Sequence, residues 1–139
     1  MMKRNKVILG VMLAALAFGF SGCGWERDKI ADKEPKKAGY KKISAEEAKE
    51  KMDNDENIVI LDVRTLEEYD EKHIPGAVVI PNETIKKETL KELPDLEQEI
   101  LVYCRSGNRS RQAAEKLIEA GYTNVYDFGG INEWTYETE

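Results

Sequence analysis

Short, unbroken apolar runs separated by capped helical segments constrain this chain more than any other feature. Ile58–Leu61, Ala77–Ile80 and Ile100–Tyr103 are rich in β-branched residues and lack polar alternation. Such runs suit strands covered on both faces, as in a parallel sheet between helices. Val125–Phe128 is a weaker fourth run and Tyr40–Ile43 a candidate edge strand. Helix starts lie between them. Ser44-Ala45-Glu46-Glu47 and Thr65-Leu66-Glu67-Glu68 are capping boxes, and Ile43 is placed to pack on Ala48 as a staple. The spacing predicts a further helix over Thr84–Leu93, stopped by Pro94, and another over Asn108–Ala120, stopped by Gly121. This alternation predicts an α/β fold with a mostly parallel sheet in one domain, residues 40–139.

The N-terminus reads as an address. Met1–Lys6 is basic, and Val7–Phe20 is an apolar or glycine stretch of 14 residues, short of the roughly 20 needed to span a bilayer. Ser21-Gly22-Cys23 follows, and Phe20–Cys23 resembles the lipobox of bacterial lipoproteins, with Phe20 where that motif usually has Leu. The resemblance implies a signal peptide over 1–22 and a lipidated Cys23 as the first mature residue. A conventional signal peptide and an uncleaved anchor are the alternatives. Residues 23–39 mix charges around Pro35 without apolar periodicity, and read as a flexible tether reaching roughly 20–25 Å. The expected location is extracytoplasmic, with the membrane reached through the lipid anchor.

Charge excludes some partners. The net charge is −6 although the first 22 residues contain no acid, so the domain itself is more acidic than the whole. Such a surface is poorly suited to nucleic acid. One His and two Cys cannot supply a Cys/His zinc site or a disulfide framework.

The chemistry gathers after the Ile100–Tyr103 run. Cys104-Arg105-Ser106-Gly107-Asn108-Arg109-Ser110 leaves a strand end and opens a helix. A loop of that kind aims backbone N–H groups at one point and forms an anion site. Gly107 permits the necessary backbone angles, and a thiol in that field is drawn toward thiolate, its reactive form. Arg105, Arg109 and Arg111 crowd a helix N-terminus where cations oppose the macrodipole, and Arg111 can answer Glu115 one turn on. Local rules are broken most often at functional sites. The opposing reading makes Cys104 a small buried core residue.

Asp62-Val63-Arg64, Glu67-Glu68-Tyr69, His73-Ile74-Pro75-Gly76-Ala77, Tyr103–Ser110, Gly129-Gly130 and Trp134 stand in an order and spacing that resemble a single-domain rhodanese across about Tyr40–Thr138. That resemblance implies a rhodanese-like three-layer fold with a five-stranded parallel sheet, a sulfurtransferase activity, and a cysteine that carries sulfane sulfur as a persulfide. Cys104 matches the cysteine and Arg105, Ser106, Gly107, Asn108 and Arg109 complete its six-residue loop. It implies no cofactor or metal. The expected partners are a small sulfur donor, such as thiosulfate or a persulfide, and a thiol or cyanide acceptor, met by a monomer at an exposed site. Arg105 and Arg109 are candidates to attract an anionic donor, with a solvated side chain or a salt bridge as the bland reading. Asp62 and Arg64 read as a supporting ion pair or loop clamp, His73 as structural, and Trp134 as packing. A phosphatase or arsenate reductase loop needs an arginine six residues after the cysteine, where this chain has Ser110. A non-enzymatic persulfide carrier or interaction module is the other alternative.

Overall fold

The computed structural model describes residues 39–139. The expected signal peptide, Cys23 and the expected tether as far as residue 38 lie outside the described residues. Eight regular elements follow in order: β1 (Lys41–Lys42), α1 (Ala45–Asn54), β2 (Val59–Asp62), α2 (Leu66–Glu71), β3 (Val78–Val79), β4 (Ile100–Cys104), α3 (Asn108–Ala120) and β5 (Val125–Gly130). The strands form one five-stranded sheet, ordered β1-β5-β4-β2-β3, and every pairing is parallel. The expected α/β architecture is present.

Both capping boxes form. Ser44 Oγ accepts from the Glu47 amide at 3.1 Å and Thr65 Oγ1 from the Glu68 amide at 3.2 Å, each answered by the glutamate carboxylate. The central strand β4 is buried throughout. Its side chains alternate between two cores, as strand geometry requires. Ile100, Val102 and Cys104 face a cluster with Ala113, Ala114 and Leu117 of α3, while Leu101 and Tyr103 join Ala48, Ile74, Phe128 and Trp134 on the other face. Ile43 packs against that second cluster, to which Ala48 belongs.

One expected helix is missing. Residues 84–93 hold no α-helix; a 3-10 turn covers Asn82–Thr84 and irregular chain follows. Ile85, Leu90 and Leu93 are buried as the sequence pattern required, but from a path of bends and turns. Tyr122 supplies the reason. Its hydroxyl accepts from the Leu90 amide at 2.9 Å and donates to the Leu93 carbonyl at 2.5 Å. Backbone groups satisfied by a distant side chain have no need of a helix.

Candidate active site

Cys104 ends β4 at a register shift in which it pairs with Gly130 of β5. A Cβ on Gly130 would stand 2.1 Å from the Arg105 carbonyl oxygen, so only glycine lets β5 pass this close beneath the loop. The same carbonyl accepts from the Asn132 amide at 3.2 Å. The loop is therefore clamped at Arg105, the residue after the cysteine. Gly107 then takes φ +104° and directs the chain into α3. In that conformation its N–H points back and donates to Cys104 Sγ at 2.9 Å.

The sulfur itself is covered. Cys104 is 1% exposed, so the exposed site expected from a short loop is not what the fold builds. Gly107 lies over the sulfur on one side and Ser110 Oγ approaches it to 3.6 Å on another. The cysteine is both a core residue and the base of an amide-lined loop, two readings that the sequence posed as rivals. Arg105, Ser106 and Asn108 are exposed around it. Their side chains make no hydrogen bond or ion pair among the described residues. Beside the loop lies a groove of about 410 Å³ lined by Lys42, Ser44, Ser106, Gly107, Arg111 and Glu133, among others.

The arginines divide. Arg109 makes a two-pronged pair with Glu68 of α2, 2.7 and 2.9 Å, the salt bridge that was the alternative to recruiting an anion. The Arg109 hydrogen bond holds the Glu68 carboxyl down at about 2, against an ordinary 4.5, with the Thr65 amide contributing after it. Arg111 pairs with Glu115 at 2.9 Å in the anticipated i,i+4 arrangement. Arg105 alone of the three has no carboxylate partner among the described residues. Nothing local in the sequence ties Glu68 to Arg109, and its capping role concealed this second task.

Asp62 and Arg64 form a buried ion pair with a 2.7 Å contact. Tyr103 donates to the same carboxylate at 2.7 Å, and Arg64 also donates to the Lys72 carbonyl at 2.7 Å. Burial opposes the Arg64 charge, but the hydrogen bonds to Asp62 outweigh it and raise the guanidinium pKa. Burial, and then Asp62, push the Tyr103 phenol well above its usual range. This network lies on the Tyr103 face of the sheet, opposite Cys104. It braces the strand end and does not touch the sulfur.

His73 stacks on Tyr69 with ring centroids 3.7 Å apart, bonds the Tyr69 carbonyl through Nδ1 at 2.9 Å, and meets Glu139 through Nε2 at 3.3 Å. Among the described residues His73 makes no pair with a cysteine. Trp134 packs on Phe128 and donates to the Glu137 carbonyl at 3.0 Å. Ser110, which closes the Tyr103–Ser110 segment but carries no expected role in the site, lies against the sulfur. Its sole signal in the sequence is a small hydroxyl in the first turn of the helix that the cysteine loop opens.

The rhodanese-like domain family profile matches residues 44–137, nearly all of the described chain. The putative sulfur carrier protein YrkF of Bacillus subtilis is 43% identical over 98 residues, 70% of this chain and 52% of that protein. The chain thus spans about half the length of that relative. The thiosulfate sulfurtransferase PspE of Escherichia coli is 40% identical over 73 residues, 52% of this chain and 70% of PspE. A solved rhodanese with anions from E. coli superposes with a TM-score of 0.54 at 36% identity, covering 58% of this chain and 95% of that one. With this profile spanning β2 to β5, the loop and the clamp beneath it, the chain belongs to the rhodanese-like domain family.

Proposed function

We propose that this protein moves sulfane sulfur from thiosulfate or a related donor to a thiol or cyanide through a persulfide on Cys104. The Gly107 N–H on Cys104 Sγ carries the reading, because a backbone donor fixed on the sulfur can partner the negative charge it bears when it attacks and when it departs. Cys104 thiolate attacks the outer sulfur of thiosulfate; the bond from that sulfur to the sulfonate breaks and sulfite leaves with the electron pair. An acceptor thiol then takes the outer sulfur and Cys104 thiolate is regenerated, a covalent two-step sequence. The exposed Arg105 is placed to attract the anionic donor.

Intact mass is the test. Thiosulfate adds about 32 Da, one sulfur, to the native protein and none to Cys104→Ser. Absence of the adduct on the native protein defeats the reading. The relative named as a putative sulfur carrier favours a second reading, in which the persulfide is handed on once to a protein partner. Multiple turnovers with excess thiosulfate and cyanide separate the two. The phosphatase alternative lacks support because Ser110 stands where its loop needs an arginine.

The same proposal places the domain outside the cytoplasm, held to the membrane by lipid on Cys23. The short apolar segment ending in Ser21-Gly22-Cys23 supports it. An alkyne fatty acid fed to cells tags the protein and leaves Cys23→Ala untagged; tagging of that variant sinks the anchor.

A further inference from the structure

Sulfur transfer as set out above uses Cys104 and the Gly107 amide, and gives no task to the hydroxyl packed against them. Ser110 is 0% exposed, in the first turn of α3. A buried hydroxyl needs an acceptor for its proton, and this one has two: Gly107 O at 3.1 Å and Gly129 O at 3.2 Å. One proton cannot fully serve both. Gly107 O also receives the Arg111 amide at 3.2 Å, so it keeps a partner when the hydroxyl turns away. The third neighbour is Cys104 Sγ, 3.6 Å distant. As a thiol, Cys104 donates S–H to Ser110 Oγ. As a thiolate it has no proton to give and accepts instead. Rotation about one side-chain torsion reverses the bond.

We propose that Ser110 is a two-way partner of the reacting sulfur, acceptor to the Cys104 thiol and donor to the thiolate. The proposal rests on the sulfur-transfer reading and assigns one of its steps. An acceptor R–SH attacks the outer sulfur of Cys104–S–S⁻. The bond from that sulfur to Sγ breaks, its electron pair stays on Sγ, and the acceptor's proton passes to the outer sulfur. The products are R–S–SH and the Cys104 thiolate, with no external oxidant or reductant. As the pair settles on Sγ, the Ser110 hydroxyl leaves its carbonyl and donates to the sulfur beside the Gly107 N–H. Donation to a charged acceptor is the stronger bond, so the exchange favours the departing thiolate.

The experiment uses the full-length chain carrying Cys23→Ala, which leaves Cys104 as the sole thiol. The pH profile of alkylation by neutral iodoacetamide moves to higher pH in Ser110→Ala, and the rate at pH 7 falls about tenfold. Ser110→Thr, which keeps the hydroxyl, restores both. A lower unfolding temperature in Ser110→Ala with an unmoved profile makes Ser110 only a tie between α3 and Gly129, and overturns the proposal. If Ser110→Ala does not fold, the S–H stretching band of the protein with Ser110 intact decides. A shift to lower wavenumber than in the denatured chain supports the hydrogen bond, and an unshifted band overturns it. Sulfur uptake from thiosulfate is measured alongside. Failure to load sulfur with the profile moved removes the transfer reading and leaves the hydrogen bond standing; normal loading with the profile unmoved removes the Ser110 role alone.

Discussion

Asp62 and Cys104 stand at the carboxyl ends of neighbouring strands, with Asp62 in register with Tyr103 and Cys104 one residue beyond. A strand's period of two sends Tyr103 and Cys104 to opposite faces, and the two ends are built from different materials. At Asp62, formal charges and a phenol close on one another, buried and mutually satisfied. At Cys104 the sulfur meets a backbone amide and a hydroxyl that has other acceptors within reach. Saturated charges resist change, whereas partners with spare capacity can follow a sulfur that gains and loses charge. One end is scaffold and the other is poised for chemistry.

The contrast breaks most severely at Gly130. Gly130→Ala drives a methyl into the Arg105 carbonyl, and the loop moves to relieve it. Sulfur transfer falls by about a hundredfold, the cost of displacing a reacting group by around an ångström. Transfer assays with circular dichroism on the same samples check this; native rates would mean that the clamp does not position the loop.

Asp62→Ala reverses the balance between stability and activity. It strands a buried Arg64, which costs about 3–5 kcal/mol and lowers the unfolding midpoint by at least about 10 °C. Sulfur loading at low temperature, where the variant remains folded, stays within about threefold of native. Lost loading at an unchanged midpoint would move Asp62 into the chemistry.

A smaller effect separates the arginines. Arg105→Gln slows transfer from thiosulfate by about two- to fivefold and spares a neutral trisulfide donor, and added salt narrows the gap. Arg109→Gln lowers both donors alike, because its charge is already answered by Glu68. A donor-selective loss at Arg109 would return the recruiting role to it.

The smallest effect is read in acid. The Glu68 carboxyl titrates at about 2 in the fold against 4.5 ordinarily. A depressed carboxylate stabilises the fold above its ordinary value, and that contribution drains as pH falls from 4.5 toward 2. Native protein is therefore more stable than Glu68→Gln at pH 7, and the two denaturation midpoints converge across that interval. A gap that persists at pH 2 would assign the stability to something other than the ion pair.

Sequence alone determined what neighbours in the chain can settle. The three apolar runs became β2, β3 and β4, both capping boxes closed, and α3 runs from Asn108 to Ala120 as its start and stop residues required. Those features depend on contacts within a turn or on burial from both sides, and residue type encodes both. Tertiary structure decided which polar groups meet. Arg109 finds Glu68 across 41 positions, Tyr103 finds Asp62 across another 41, and Ser110 reaches the Gly129 carbonyl across 19. Residues 84–93 show the same limit in the backbone. Their apolar spacing announced burial correctly, but the distant Tyr122 hydroxyl holds the Leu90 amide and the Leu93 carbonyl, and the segment between is irregular. A side chain's chemistry is written in the sequence; its partner is chosen by the fold, because hydrogen bonds and ion pairs form through space between groups that only a closed sheet brings together.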